Sequence, residues 1–189
     1  SAQRYQSLGV DVFIGQARFA GPDTVAVEGP AGPRTLRFVK AAICTGARAS
    51  APPVPGLRDA GYLTNETVFS LTELPPRLGI IGAGPIGCEL AQSFARFGSQ
   101  VYLIEALHGI MPNEDRDAAQ IVEQQMAKDG VRLLCCGKDL NIEKTADGKR
   151  LTVASHGENY DITVDEILVG AGLPERLGEP RGRLFLGDG

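Results

Sequence analysis

The 189-residue chain has no tryptophan, only two histidines and two methionines, and 6% aromatic residues. His108 and His156 have no partners at metal-motif or triad spacing, so both read as solvated side chains. Its four cysteines, Cys44, Cys88, Cys135 and Cys136, form neither C-x-x-C nor C-x4-C, which leaves out the redox and zinc spacings. Cys44 and Cys88 fall in apolar stretches and read as small core residues. Cys135 and Cys136 end a strand pattern, in which adjacent side chains point to opposite faces. Two thiols facing apart make no clean soft-metal site, so no metal is expected. Basic residues are also in deficit: 19 Lys and Arg against 23 Asp and Glu give a net charge of −4. That excludes the electrostatic footprint of a nucleic-acid or anionic-membrane binder. No apolar run approaches the ~20 residues that cross a bilayer, and no charged-then-apolar leader opens the chain. A cytoplasmic protein of one or two small domains, long enough to bury a core, is expected.

Glycine is abundant, and three glycines carry the argument. Leu78–Ile81 is a short apolar run of strand character, followed by Gly82, Gly84 and Gly87 at G-x-G-x-x-G spacing. Ile86, Leu90, Phe94 and Phe97 then recur at helical spacing, and Gly98 stands where a left-handed cap would stop the helix. A second strand, Val101–Ile104, ends in Glu105. Strand, glycine turn, helix, strand and acid follow in the order a dinucleotide site requires.

Each residue type has its reason. Gly82 allows the tight turn, Gly84 lets a pyrophosphate approach the backbone, and Gly87 lets helix and sheet pack closely. Pro85 suits the first helical turn, where its missing N–H matters least. The helix N-terminus, with Ile86 and Gly87 in its first turn, offers free N–H groups and a partial charge of about +0.5 to an anion. Glu105 can accept hydrogen bonds from the adenosine ribose hydroxyls. Its carboxylate would repel a 2′-phosphate, and the residues that follow, Ala106, Leu107 and His108, supply no Arg to offset it. NAD(H) is therefore expected over NADP(H). The competing reading is a structural βαβ turn with a solvated terminal Glu.

In chain order, residues 1–45 read as β. Val10–Phe19, Thr24–Glu28 and Thr35–Phe38 form strands, and the nearly continuous apolar run Val39–Thr45 reads as a strand covered on both faces. Residues 49–61, rich in Pro, Ala and Gly, read as a crossover without helix or strand. Thr64 and Asn65 are placed to cap a short helical piece over Glu66–Leu71. Asn113 or Asp115 caps a helix over Arg116–Lys128, with Ala118, Ile121, Val122 and Met126 on one face and Gly130 at its end. Val131–Leu134 is a third strand. Asp147-Gly148 and the stretch His156–Asn159 turn a three-stranded meander, and Glu166–Val169 is a buried parallel strand. The fold class expected is α/β: a Rossmann-like parallel sheet with a β-meander crossover, plus a partial β-rich segment.

The run Tyr62–Phe69, then Leu74-Pro75-Pro76, then Leu78–Glu105, resembles the flavin-dependent pyridine nucleotide–disulfide oxidoreductases. Within them it looks most like the mercuric-reductase-like and dihydrolipoamide-dehydrogenase-like members. The resemblance implies a partial FAD-domain segment over 1–48, a linker over 49–65, an NAD-binding domain over 66–172 and a return to the FAD domain over 173–189. It implies FAD contacts at Thr45 and Gly46, although a plain strand-end turn also fits those residues. It places Asp188 at a ribitol-binding position, Gly172 at the nicotinamide nucleotide, and Glu89 near nicotinamide and flavin. An exposed helix Glu is the alternative for Glu89. By the same resemblance the chain is the middle of a longer flavoenzyme, a homodimer, in which NADH reduces FAD and electrons pass through a thiol pair. Without its own redox cysteine pair, the chain is expected to be inactive alone. The alternative is a stand-alone NAD-binding module or sensor.

Overall fold

The structure, a computed structural model, describes residues 2–44, 51–170 and 183–187. The chain divides into two units, Ser1–Arg48 with Glu175–Gly189, and Ala49–Pro174.

In the first unit a short helix α1 (Ala2–Gln6) precedes three antiparallel strands, β1 (Gln16–Gly21), β2 (Thr24–Glu28) and β3 (Arg34–Arg37). Val25 and Val27 alternate into the buried face of β2, and Asp23 in the first turn accepts from Arg37 at 2.8 Å. The expectation of β structure throughout residues 1–45 is corrected at α1 and at residues 10–14, which join no ladder. Strand β4 (Lys40–Cys44) forms as expected, yet all five of its residues are exposed. Cys44 is therefore a surface thiol and not a core residue.

The second unit opens with a helical turn α2 (Leu57–Ala60), inside the stretch read as a featureless crossover, and a two-residue strand β5 (Leu63–Thr64) just beyond it. Leu57 and Ala60 are buried, so α2 is held by packing and not by propensity. The expected helical piece over 66–71 shrinks to a 3-10 turn, Val68–Ser70. There the Thr64 hydroxyl accepts from the Glu66 N–H at 3.2 Å and the Thr67 hydroxyl from the Thr64 N–H at 2.8 Å, while no side chain caps the 3-10 turn itself. Next come β6 (Arg77–Ile81), α3 (Pro85–Phe97), β7 (Gln100–Ile104), α4 (Arg116–Lys128) and β8 (Arg132–Leu134). The meander β9 (Lys138–Thr145), β10 (Gly148–Ser155) and β11 (Glu158–Val164) leads to β12 (Glu166–Val169). The strand β13 (Arg183–Gly187) pairs antiparallel with β4 in the first unit.

The five-stranded sheet is parallel throughout, in the order β5-β12-β6-β7-β8. Both of its faces are covered, so its strands need apolar residues at every position. Leu78, Ile80, Val101, Leu103 and Leu168 face a core shared with α3 and α4. Their neighbours Ile81, Ile104, Ile167 and Val169 face a second core shared with the meander. This is the α/β class expected, with the meander as the second layer.

Two helix faces differ from expectation. On α3 the fully buried residues are Gly87, Cys88 and Ala91, while Phe97 is 69% exposed. The helix approaches the sheet too closely for large side chains at its centre, and Leu90 and Phe94 pack along its flank. On α4 the stripe is Ala119, Val122 and Met126, and Ile121 is 70% exposed. Asp115 is the cap, accepting from the Ala118 N–H at 3.0 Å. The first hairpin turns one residue earlier than expected, at Ala146-Asp147, since Thr145 pairs with Gly148.

Arg77 at the start of β6 binds Asp165 in the turn before β12 through two guanidinium nitrogens, at 3.1 and 2.7 Å. The Arg77 N–H also donates to the Asp165 carboxylate, at 2.8 Å. These bonds hold the Asp165 carboxyl below the usual carboxylate range. The stabilisation is complete above the unfolded pKa of about 3.9 and is lost as pH falls from there through the lower folded value. Asp165→Asn should melt at a lower temperature than wild type near neutral pH, with the gap closing below about pH 4. Melting scans across that range check it, and a gap constant with pH would refute the link.

Candidate functional site

Parallel strands expose their carboxyl ends where β6 passes into α3, and the cleft of the second unit lies there. It encloses about 410 Å³ and is lined by Gly82, Gly84, Pro85, Glu105, Gly137 and Gly170, among others. The glycine turn explains its shape. Gly82 has φ 101°, a left-handed conformation that glycine adopts without strain. Its N–H donates to the Ile104 carbonyl at 2.8 Å, which ties the turn to the end of β7. A Cβ on Gly87 would lie 1.9 Å from the Gly82 carbonyl oxygen, so helix and turn touch there through bare backbone. A Cβ on Gly170, at the end of β12, would come within 3.0 Å of the Gly87 Cα. Gly84 differs: nothing lies within 4 Å of where its Cβ would stand. Its side faces open space.

Helix α3 starts with Pro85 at its first turn and has no side-chain cap. The contrast with α4, capped by Asp115, is informative. First-turn N–H groups of a helix have no intrahelical acceptor. Those of Ile86 and Gly87 are left without a side-chain cap, beside an open position and at the positive end of the helix dipole.

Glu105 closes the cleft opposite. One carboxylate oxygen accepts from the Ala83 N–H at 2.7 Å, and the other accepts from the Leu107 N–H at 2.9 Å. Two backbone donors thus fix the side chain in place. Each oxygen retains a further acceptor site, because an ionised carboxylate offers about four in all. Gly137 sits beside it, its N–H donating to the Glu105 carbonyl at 2.8 Å. The Met111 N–H donates to the Ala83 carbonyl at 2.7 Å, which brings residues 111–114 to the rim.

Of the residues expected at a nucleotide, Gly82, Gly84, Pro85 and Glu105 therefore meet around one cleft. Gly87 is buried beneath it, Ile86 is half-buried, and Glu89 is exposed on α3 outside the lining. Thr45, Gly46, Gly172 and Asp188 lie outside the described residues. Sequence reasoning missed Gly137, Gly170 and the 111–114 rim. The glycines ending β8 and β12 were the available signal, since parallel strands deliver ligands at their carboxyl ends. Cys88 is the inert core thiol expected: it is buried, its Sγ donates to the Ala83 carbonyl, and burial pushes its pKa up to about 11, assisted by the Glu105 charge.

The vicinal cysteines correct the sequence reading. Cys136 has φ 55°, so the chain leaves β8 without keeping the alternation of a strand. Cys135, Cys136 and His108 converge, with their ligand atoms within 4.8 Å of one another. The expectation that the two thiols face apart does not hold.

A Rossmann-like α/β unit with a glycine turn, a close-packed helix and an acid after the second strand defines a broad class. The pyridine nucleotide-disulphide oxidoreductase model matches residues 2–177, and the chain belongs to that family. It is 34% identical over 164 residues to the probable pyridine nucleotide-disulfide oxidoreductase RclA of Escherichia coli, covering 86% of this chain and 36% of the relative. It is 33% identical over 174 residues to a mercuric reductase of Lysinibacillus sphaericus, covering 90% of this chain and 31% of that enzyme. The solved HOCl-induced flavoprotein disulfide reductase RclA from Escherichia coli superposes with a TM-score of 0.62 at 31% identity, over 88% of this chain and 37% of that one. The chain thus spans about a third of the length of the relatives it matches. Among the described residues no helix is long and apolar enough to cross a membrane.

Proposed function

We propose that the second unit seats NADH, with the pyrophosphate on the α3 N-terminus and the adenosine ribose on Glu105, within a flavin-dependent disulfide oxidoreductase. One observation carries this reading. The helix end left without a side-chain cap, the open side of Gly84 and the fixed Glu105 carboxylate meet at the carboxyl end of a parallel sheet. When bound, NADH supplies a hydride and FAD accepts it. This chain's part is to bind and orient the donor. Glu89, exposed on the first turns of α3, is free to face the nicotinamide side. Thr45, Gly46 and Asp188 would serve the flavin, and Gly172 the nucleotide. The electron acceptor, the redox thiols and a dimer interface belong to the rest of a longer protein on this reading.

A titration of the chain with NADH, followed by nicotinamide fluorescence, tests the proposal. Saturable binding of one equivalent, displaced by ADP-ribose, is expected. Absence of saturation up to about 1 mM, a free energy weaker than about −4 kcal/mol, would remove the site. So would ADP-ribose failing to compete, since the features named all address the adenosine and pyrophosphate half.

A further inference from the structure

We propose that Cys135, Cys136 and His108 form a binding site for a thiophilic d10 cation, zinc(II) in the first instance, with His156 as the fourth group. The site is separate from the nucleotide cleft and does not rest on the function proposed above.

The geometry comes from three elements. Strand β8 ends at Leu134, and Cys136 then adopts φ 55°. A non-glycine residue held in the left-handed region is strained and persists only where its surroundings fix it. Here they do. The Cys136 N–H donates to the Leu107 carbonyl at 2.9 Å, and the Gly137 N–H to the Glu105 carbonyl at 2.8 Å. The buried Ser155 hydroxyl donates to the Cys135 carbonyl at 2.6 Å. The turn brings both thiols to one side. His108, from the loop after β7, places Nδ1 3.4 Å from the Cys136 Sγ. His156, first residue of the type I′ turn between β10 and β11, places Nε2 3.1 Å from the Cys135 Sγ. The two imidazoles stand edge to face, 6.4 Å between centroids.

These separations suit one small cation. With Zn–S near 2.3 Å and Zn–N near 2.0–2.1 Å, the nitrogen–sulfur edge of a tetrahedron is about 3.6 Å. The donors of Cys135, Cys136 and His108 already lie within 4.8 Å of one another, so small side-chain shifts bring those three onto one cation. His156, 3.1 Å from the Cys135 Sγ but outside that cluster, turns in as the fourth. Two thiolates with imidazole nitrogen select zinc(II) or copper(I) over magnesium or calcium, which take oxygen ligands. Cys135 is buried and His108 exposed, so a cation enters from solvent. Binding replaces each S–H bond with a metal–sulfur bond, two protons pass to solvent, and no electron is transferred.

The sequence hid this site because its donors follow no short spacing. They come from a loop, a strand end and a hairpin turn.

The test uses the full chain, reduced, metal-free and without a histidine tag. Cobalt(II) is titrated as a coloured substitute for zinc(II). One equivalent should give a thiolate-to-cobalt charge-transfer band and the intense visible bands of a tetrahedral centre, both erased by zinc(II). Zinc(II) should protect two of the four cysteines from alkylation, identified by mass spectrometry as Cys135 and Cys136. His108→Ala and Cys136→Ser should each weaken binding at least ~10-fold, because loss of even a supporting partner commonly has that effect. Cys44→Ser should change nothing. Circular dichroism of His108→Ala, a surface change, guards against reading an unfolded variant as a lost site. A competition with copper(I) separates the cations: copper(I) binding that ignores His156→Ala, with zinc(II) binding that does not, supports a site usable by both. Unsaturable binding of cobalt(II) and zinc(II), or wild-type affinity in the His108 and Cys136 variants, would overturn the proposal. So would a Cys135–Cys136 disulfide that persists under reducing conditions and excludes metal.

Discussion

Gly87→Ala is expected to destabilise the second unit severely, whereas Gly84→Ala is expected to leave it folded and to weaken its hold on a dinucleotide. Both glycines belong to one motif, and both changes add one methyl group. At Gly87 that methyl would stand 1.9 Å from the Gly82 carbonyl oxygen and 3.1 Å from its carbon, all backbone. No rotamer change relieves such a contact. Helix α3 must back away from the turn, which separates Cys88 and Ala91 from the sheet. Losses of this kind belong to the exceptional class above about 4 kcal/mol. For a unit of this size that lowers Tm by more than ~10 °C. At Gly84 the backbone has φ −70°, which any residue adopts, and the space beside it is open. Its melting curve should match wild type within about 0.5 kcal/mol, while NADH affinity falls at least ~10-fold, or about 1.4 kcal/mol. Thermal melts and NADH titration of the two variants together decide the matter. Full NADH affinity in Gly84→Ala would move the pyrophosphate elsewhere. A native melt for Gly87→Ala would mean that helix and turn are not in bare-backbone contact.

The second large effect concerns Glu105. A ribose hydroxyl bonded to an ionised carboxylate contributes about 1.5–3 kcal/mol, so Glu105→Ala should weaken NADH binding by roughly 10- to 100-fold. The same charge opposes a 2′-phosphate: two like charges ~4 Å apart at an effective dielectric of ~20 repel by about 4 kcal/mol before relaxation. Wild type should therefore prefer NADH strongly to NADPH. Glu105→Gln should collapse that preference by at least ~10-fold, mostly through tighter NADPH binding. Because the carboxylate also accepts from Ala83 and Leu107, the alanine variant loosens the glycine turn as well. The glutamine variant keeps one of these two acceptor oxygens, so it disturbs the turn less and is the cleaner probe. Paired titrations with NADH and NADPH, at one ionic strength, provide the check. Equal affinities in wild type would defeat the charge argument, and an unchanged ratio in Glu105→Gln would defeat the residue assignment.

Local rules reach far into this fold, and they stop at identifiable places. The run Leu78–Glu105 announced strand, turn, helix and strand because each step has its own chemical signature. The backbone demands at Gly82 and Gly87 are separable in the sequence, because one follows from a left-handed φ and the other from what a Cβ would meet. The buried face of α3 is legible only in part: Gly87 and Cys88 are placed on it from the sequence, while apolar spacing favours Ile86, Leu90, Phe94 and Phe97 over Ala91. Close approach selects small residues, and hydrophobicity alone does not register that. Helix α2 and strand β5 were hidden because four and two residues give no period, and partners distant in sequence hold them. Cys44 sits in an apolar run that implied cover on both faces, yet cover depends on what packs against a strand. The vicinal cysteines were misjudged for one reason: the alternation rule assumes extended backbone, and Cys136 is not extended.

The position of β12 bears on how the unit is made. It lies between β5 and β6, pairing Leu168 with Leu63 and Ile80, partners synthesised long before it. A chain emerging from the ribosome N-terminus first can assemble β6, α3, β7, α4 and β8 early. One flank of β6 then remains unpaired, its polar backbone and its Ile80-Ile81 side chains open to other chains. Unpaired flanks of this kind invite intermolecular pairing. The meander shortens the wait, because its hairpins turn through two-residue loops and such hairpins close within about 1–10 μs. Once they stand, β12 is delivered next to its gap, and the Arg77–Asp165 pair clasps the strand as it enters. Nascent chains halted before Glu166 should therefore be the sticky ones, and those extended past Val169 the safe ones.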